Sequence, residues 1–253
     1  MNLCIYIIWK GDNMQEYFEA KNVSKSFGGI KALKEISLTL EKNKITSLIG
    51  PNGAGKTTFF NLVTGTLPVD KGTIKFKGED ITHLKSFEIC RKGIVRTYQQ
   101  QNLFSNLTIF KNIEAGTMKD DLNNEERNNK VFDILSFLNL EKKHDITVKN
   151  LSPLECKFVE LGRSLATDPE IILLDELIGG LVTSETDKIC EIVETLCLKG
   201  YTIFQVGHEM KPIMKTSDWI YVLDKGEKIA EGTPNEIKNN KLVQQVYLES
   251  GGE

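Results

Sequence analysis

A chain of 253 residues, 40% hydrophobic and 26% charged, is long enough to bury a sizeable core and has the make-up of an ordinary globular protein. Its formal net charge of -3, with no long basic stretch, argues against a protein held on nucleic acid by phosphate contacts. Five scattered cysteines (Cys4, Cys90, Cys156, Cys190, Cys197) lack the paired spacing of a disulfide framework or a zinc site, and His83, His144 and His208 are too few for a histidine-rich one.

The apolar run Leu3 to Trp9 is far shorter than the roughly 20 residues of a membrane-spanning helix, and it lacks a basic n-region and a cleavage site. Residues 1–13 are therefore expected to be a dispensable extension, with Met14 the initiator. Alternation in Tyr17 to Val23 and again in Ile36 to Leu40 predicts an antiparallel β lobe with one wet face. Ile45 to Ile49 reads as a buried strand, followed by a glycine loop and a helix over Phe59 to Val63. A strand at Thr73 to Phe76, a helix around Leu84 to Arg91 and a strand at Ile94 to Gln99 come next.

From residue 100 to about 150 the apolar positions Ile109, Ile113, Val131, Ile134, Leu135 and Leu138 favour helices, joined by a charged connection at Lys119 to Lys130. A helix from Ser152 then leads into Ile171-Ile172-Leu173-Leu174, the unbroken apolar run of a buried parallel strand. Helix 185–198, strand Tyr201 to Val206, a short helix from Glu209, and strands Trp219 to Leu223 and Lys228 to Ala230 complete an α/β core.

Gly50-Pro51-Asn52-Gly53-Ala54-Gly55-Lys56-Thr57 fits the nucleotide-loop pattern G-x-x-x-x-G-K-[ST], directly after a strand and opening a helix. Its glycines let backbone N–H groups wrap phosphates, and the helix N-terminus adds positive potential. Lys56 is expected to reach the β and γ phosphates of ATP, and the Thr57 hydroxyl to ligate Mg²⁺. Asp175-Glu176 ends the apolar strand, where ligands bind in open α/β sheets. Asp175 is the expected Mg²⁺ ligand, directly or through water, and Glu176 the general base on the attacking water. Taken without the loop, two acids at a strand end more often form a solvated turn.

The order of Gly50 to Thr58, Arg96-Thr97-Tyr98-Gln99, a helical stretch, Leu151-Ser152, Leu173-Leu174-Asp175-Glu176 and His208 resembles the ATP-binding cassette (ABC) family from about Glu16 onward. The Arg-Thr-Tyr-Gln wording, Phe27-Gly28-Gly29, His208-Glu209-Met210 and the ending from Glu231-Gly232-Thr233-Pro234 to Tyr247-Leu248 are similar to ATP-binding subunits of branched-chain amino acid transporters. The resemblance implies a P-loop NTPase fold of the ABC ATPase type. Residues 14–99 and 151–253 would form a mixed, mainly parallel core with an antiparallel β lobe, and residues 100–150 an inserted helical subdomain.

It further implies that Phe27 stacks on adenine, that Thr58 and the rest of the loop hold phosphate, that Gln99 senses Mg²⁺ and water, and that His208 contacts the γ-phosphate. A core aromatic at a turn and a structural histidine are the alternatives for Phe27 and His208. The implied partners are transmembrane permease subunits, a second ATP-binding subunit and, indirectly, a substrate-binding protein, with the chain in the cytoplasm on the inner face of the membrane. Members that act in translation or DNA repair, and a weakly hydrolysing regulatory subunit, are the other readings.

The pattern breaks at the family signature Leu-Ser-Gly-Gly-Gln, which binds the γ-phosphate held by the opposite subunit. Here the residues are Leu151-Ser152-Pro153-Leu154-Glu155, while Val182 replaces an acid and Leu177 a proline. Ser152 as N-cap, Pro153 at N1 and Glu155 three residues on form a capping box that satisfies its own donors. Glu155 near a partner's phosphate implies a repulsion of about 2–3 kcal/mol at an effective dielectric of about 20. Such erosion predicts a heterodimer, whose partner supplies an intact signature to this chain's nucleotide.

Overall fold

The computed structural model describes residues 17–97, 102–118, 120–207 and 209–250; the extension 1–13, Gln99 and His208 lie outside them. Strands β1 (Phe18–Phe27) and β2 (Ile30–Leu40) form an antiparallel hairpin. β3 (Ile45–Ile49) runs through the glycine loop into α1 (Lys56–Val63), and β4 (Lys71–Phe76) with β5 (Glu79–Asp80) returns to the hairpin to give the order β2-β1-β4-β5. Alternation survives only in stretches of β1 because the register slips between Ala20 and Val23, where Asn22 takes φ 51°, and again between Val23 and Lys25, where Glu35 on β2 takes φ 51°.

α2 (Ser86–Arg91) precedes β6 (Ile94–Arg96), which is shorter than the expected strand. The helical stretch comprises α3 (Ile109–Glu114), α4 (Asn124–Phe137) and α5 (Pro153–Leu165). The run expected as a charged connection is a helix from Asn124 on. Asn123 caps it, accepting from Glu126 N at 3.0 Å while the Glu126 carboxylate accepts from Asn123 N at 2.9 Å. Glu125 and Glu126 are exposed, whereas the half-buried Lys130 reaches Asp120 at 2.7 Å and Asp168 at 2.5 Å.

β7 (Ile171–Asp175), α6 (Thr183–Leu198), β8 (Thr202–Val206), α7 (Met210–Thr216), β9 (Trp219–Asp224), β10 (Glu227–Gly232), α8 (Pro234–Lys238) and α9 (Lys241–Ser250) follow. The second sheet has the order β10-β9-β3-β8-β7-β6, parallel except for the antiparallel edge strand β10. Every residue of β3, β7 and β8 is buried, as strands covered on both faces require. One face shares an apolar layer with the first sheet through Phe59, Phe60, Leu173 and Phe204; the other packs Ile172, Leu174 and Ile203 against α3, α4, α5 and α6. The α/β core with an antiparallel lobe and inserted helices is thus present. Because β3 and β7 run in one direction, the glycine loop and Asp175-Glu176 emerge from the same edge.

Candidate functional site

The glycine loop closes on itself by a hydrogen bond from Ala54 N to Pro51 O at 3.2 Å, and α1 starts one turn earlier than its apolar residues suggest. Gly55 sits at the N-cap with φ 106° and no side-chain cap, so the first N–H groups of α1 are left for a ligand. A Cβ on Gly55 would lie 2.7 Å from Leu33 Cδ2 and 2.8 Å from the Ala32 carbonyl oxygen, so β2 presses directly on the loop. Asn52, Gly53 and Thr57 are exposed, whereas Thr58 is half-buried.

The Lys56 ammonium is buried and folds back onto its own loop, donating to Gly50 O at 2.7 Å and Pro51 O at 2.9 Å. Burial pushes its pKa down, opposed by the negative charge of Glu176 and then Asp175. The two motifs, about 120 residues apart in sequence, therefore share one electrostatic site.

Asp175 is only 3% exposed and accepts a hydrogen bond from Arg96 at 2.6 Å in a buried ion pair. Glu176 adopts φ 50°, a left-handed conformation rare for a residue with a side chain, and its N–H donates to Val206 O at 3.0 Å. The bond fixes the turn that follows β7. Glu176, Gly207 and Glu209 line one small cavity. The roles expected of Gln99 and His208 themselves fall outside the described residues.

Phe27 ends β1 with 45% of its surface exposed and leads into Gly28 and Gly29. It is not the core aromatic that was the alternative. Lys25, tied to Asp70 at 2.6 Å and Pro68 O at 2.8 Å, places its ammonium 5.6 Å from the Phe27 ring centroid.

The signature segment forms the expected self-capped helix start. Ser152 Oγ accepts from Glu155 N at 3.3 Å, and Glu155 Oε2 accepts from Ser152 N at 2.9 Å. Leu154 is buried among the helices. The expectation for Glu155 needs correcting. Its carboxylate is turned back and paired with Lys143, and Lys143 together with the Ser152 N–H holds it below the ordinary glutamate range. A charge already paired repels an incoming phosphate far less than a bare carboxylate. Leu177, in the proline's place, is buried in the same core; Val182, at the N-cap of α6, is 63% exposed and gives no side-chain cap.

Two residues with no role expected from the sequence stand out. Arg96 engages Asp175, and Lys143 neutralises Glu155. The signal for Arg96 was a lone charge in the apolar strand Ile94-Val95-Arg96, which a buried position tolerates only with a counter-charge. For Lys143 no local signal exists.

Thr57 and Asp175 suit a hard divalent cation that keeps water and takes the rest of its ligands from phosphate oxygens. Among the described residues no three His, Cys, Asp or Glu side chains gather as a closed protein cage. No helix among them is long and apolar enough to cross a membrane.

Residues 33–179 match the ABC transporter family, and residues 227–248 match the branched-chain amino acid ATP-binding cassette transporter family. The chain is 36% identical over 245 residues to the probable branched-chain amino acid transport ATP-binding protein LivG of Archaeoglobus fulgidus, covering 91% of this chain and 94% of that one. It is 34% identical over 230 residues to the lipopolysaccharide export system ATP-binding protein LptB of Escherichia coli, covering 90% and 95%. A crystal structure of an ABC transporter's ATP-binding cassette in its ADP conformation superposes with TM-score 0.86 at 32% identity, covering 94% of this chain and 99% of that one. The chain belongs to the ABC transporter family as an ATP-hydrolysing, ATP-binding subunit.

Proposed function

We propose that this subunit energises the import of branched-chain or related amino acids, as one of two different ATP-binding subunits seated on permease subunits at the inner face of the membrane, with a substrate-binding protein delivering the cargo. The observation that carries the cargo reading is the match of residues 227–248 to the branched-chain amino acid transporter family. The similarity to a lipopolysaccharide export subunit supports a second reading, with an exported lipid as cargo.

In the proposed mechanism Phe27 stacks on adenine while the backbone N–H groups of the loop and the open start of α1 hold the phosphates. Lys56 leaves Gly50 O and Pro51 O to bind the β and γ phosphates. Thr57 and Asp175 would hold Mg²⁺, which when bound neutralises charge on the phosphates. Glu176, set by its left-handed backbone, accepts the proton of the attacking water. Gln99 orients that water, and His208 contacts the γ-phosphate.

The heterodimer rests on the signature. Ser152 keeps a hydroxyl proton to give, but the backbone N–H of Ser152 and that of Glu155 are spent within the helix start. Two copies of this chain would each offer the other a poor phosphate site, so a partner with free donors is required.

A cell lacking this chain, supplied with the wild type or with Lys56→Ala, tests the cargo by uptake of labelled leucine. Restoration by the wild type alone is expected. Leucine uptake unchanged by the loss of the chain would overturn the import reading, and loss of lipopolysaccharide export in the same cell would favour the second.

A further inference from the structure

Arg96 occupies an unusual position for a charge. Its backbone is paired with Leu173, two residues before Asp175, and its side chain is 4% exposed. Its two terminal nitrogens go to two different elements: one donates to Asp175 Oδ2 at 2.6 Å, the other to Asn61 Oδ1 on α1 at 2.6 Å. The guanidinium carbon also lies 5.6 Å from the centroid of the Phe60 ring, the residue before Asn61. Next in sequence, Thr97 Oγ1 accepts from Asp175 N at 3.3 Å, so consecutive residues of one segment hold both the carboxylate and the backbone of Asp175.

A buried ion pair of this kind is no efficient source of stability, because two charges have been stripped of water to form it. Packing alone would be served by an apolar residue, as at Ile94 and Val95. What the pair does is occupy one of the two oxygens of Asp175 and cancel its charge before any cation arrives. The planar fork of arginine suits that task, since it reaches a carboxylate and an amide in one plane; a lysine ammonium has no such geometry.

We propose that Arg96, anchored by Asn61, is a positioning residue that clasps Asp175 and keeps the site from taking a divalent cation until nucleotide phosphates supply the missing ligands. The inference rests on the reading of Asp175 as a Mg²⁺ ligand. It makes metal binding conditional on nucleotide, and it ties that condition to α1, whose first turn carries Lys56 and Thr57 and whose next carries Asn61.

The test uses the full chain with Mn²⁺ as probe, its binding followed by electron paramagnetic resonance with and without ADP, and ADP affinity in EDTA measured alongside. Wild type is expected to bind Mn²⁺ well with ADP and poorly without it. Arg96→Gln is expected to bind Mn²⁺ without nucleotide at least about tenfold tighter than wild type, because the competing guanidinium is gone. Adding Asp175→Asn to it should erase the gain. ADP affinity in EDTA should stay within about twofold, since the phosphate loop is untouched.

Asn61→Ala leaves the charge pair but frees one end of the clasp, and a smaller gain of about twofold to fivefold is expected. It decides the matter if Arg96→Gln does not fold. A merely structural pair would lower melting temperature in these variants without raising Mn²⁺ affinity. Failure of the wild type to bind Mn²⁺ even with ADP would overturn the metal reading and the clasp with it. Conditional binding in the wild type, with no gain in any folded variant, would overturn the clasp alone.

Discussion

The start of α1 and the start of α5 are the same physical object put to opposite uses. Each is a helix N-terminus with orphan N–H groups and a positive end of the helix dipole. At α1 the N-cap is Gly55, no side chain caps it, and the first turn carries no acid. At α5 the N-cap is Ser152, Pro153 removes one donor, and Glu155 returns to bond Ser152 N. One terminus stays open and gains its partner only from a ligand; the other is satisfied within its own chain. An open N-terminus costs stability and gives a binding site, whereas a capped one gives stability and surrenders the site.

Closing the open terminus should have the largest effect. Gly55→Ala forces a side chain at φ 106° against the Ala32 carbonyl, a contact of 2.8 Å that backbone cannot easily relieve. ATP affinity measured by titration calorimetry should fall by more than about tenfold, with a stability loss of about 1–3 kcal/mol in denaturant melts. Opening the closed terminus is the converse. Pro153→Gly combined with Glu155→Ala frees donors at α5 without disturbing the buried Leu154. The purified chain at high concentration should then hydrolyse ATP several-fold faster than wild type; an unchanged rate would show that the signature does not limit it.

The pH dependence of the cap is a smaller effect. Lys143 and the Ser152 N–H hold the Glu155 carboxyl below its ordinary value, so it contributes stability above the unfolded glutamate pKa of about 4.3. The stability difference between wild type and Glu155→Gln should therefore be constant above about pH 5 and shrink as pH falls through the depressed folded pKa. A gap that widens on acidification would contradict the pairing. Smallest is α6, whose N-cap Val182 caps nothing while Glu185 accepts from Val182 N at 3.3 Å. Val182→Asp should raise stability by about 0.5–1 kcal/mol, read as a higher melting temperature.

Local chemistry was the legible part. The short buried strand β3, the unbroken apolar run of β7, the glycine loop and the Ser152 capping box depend on residues within a few positions, and each is found where its pattern places it. β1 was legible only in part, because the bulge at Asn22 reverses the faces that alternation reports. The first two turns of α4 are not legible as helix, although Asn123 and Glu126 carry a capping box, because the charges there hide any apolar stripe. Arg96 and Asp175 are 79 positions apart, and Lys143 and Glu155 meet across a turn between helices. Pairings of that kind follow from tertiary packing, which no local pattern encodes.

The asymmetry between an open phosphate site and a self-capped signature carries the proposed pairing of two different subunits. Its most direct test is the ATPase rate of the assembled transporter, carrying Glu176→Gln or Ser152→Ala in this chain, with melting temperatures taken in parallel. Glu176→Gln should reduce turnover by about 10²-fold or more, since it removes the proposed base. Ser152→Ala should leave most of the turnover and cost about 1 kcal/mol of stability through the lost N-cap. Equal, severe loss of turnover in both variants, with both proteins folded, would show a fully working signature and contradict the asymmetric site.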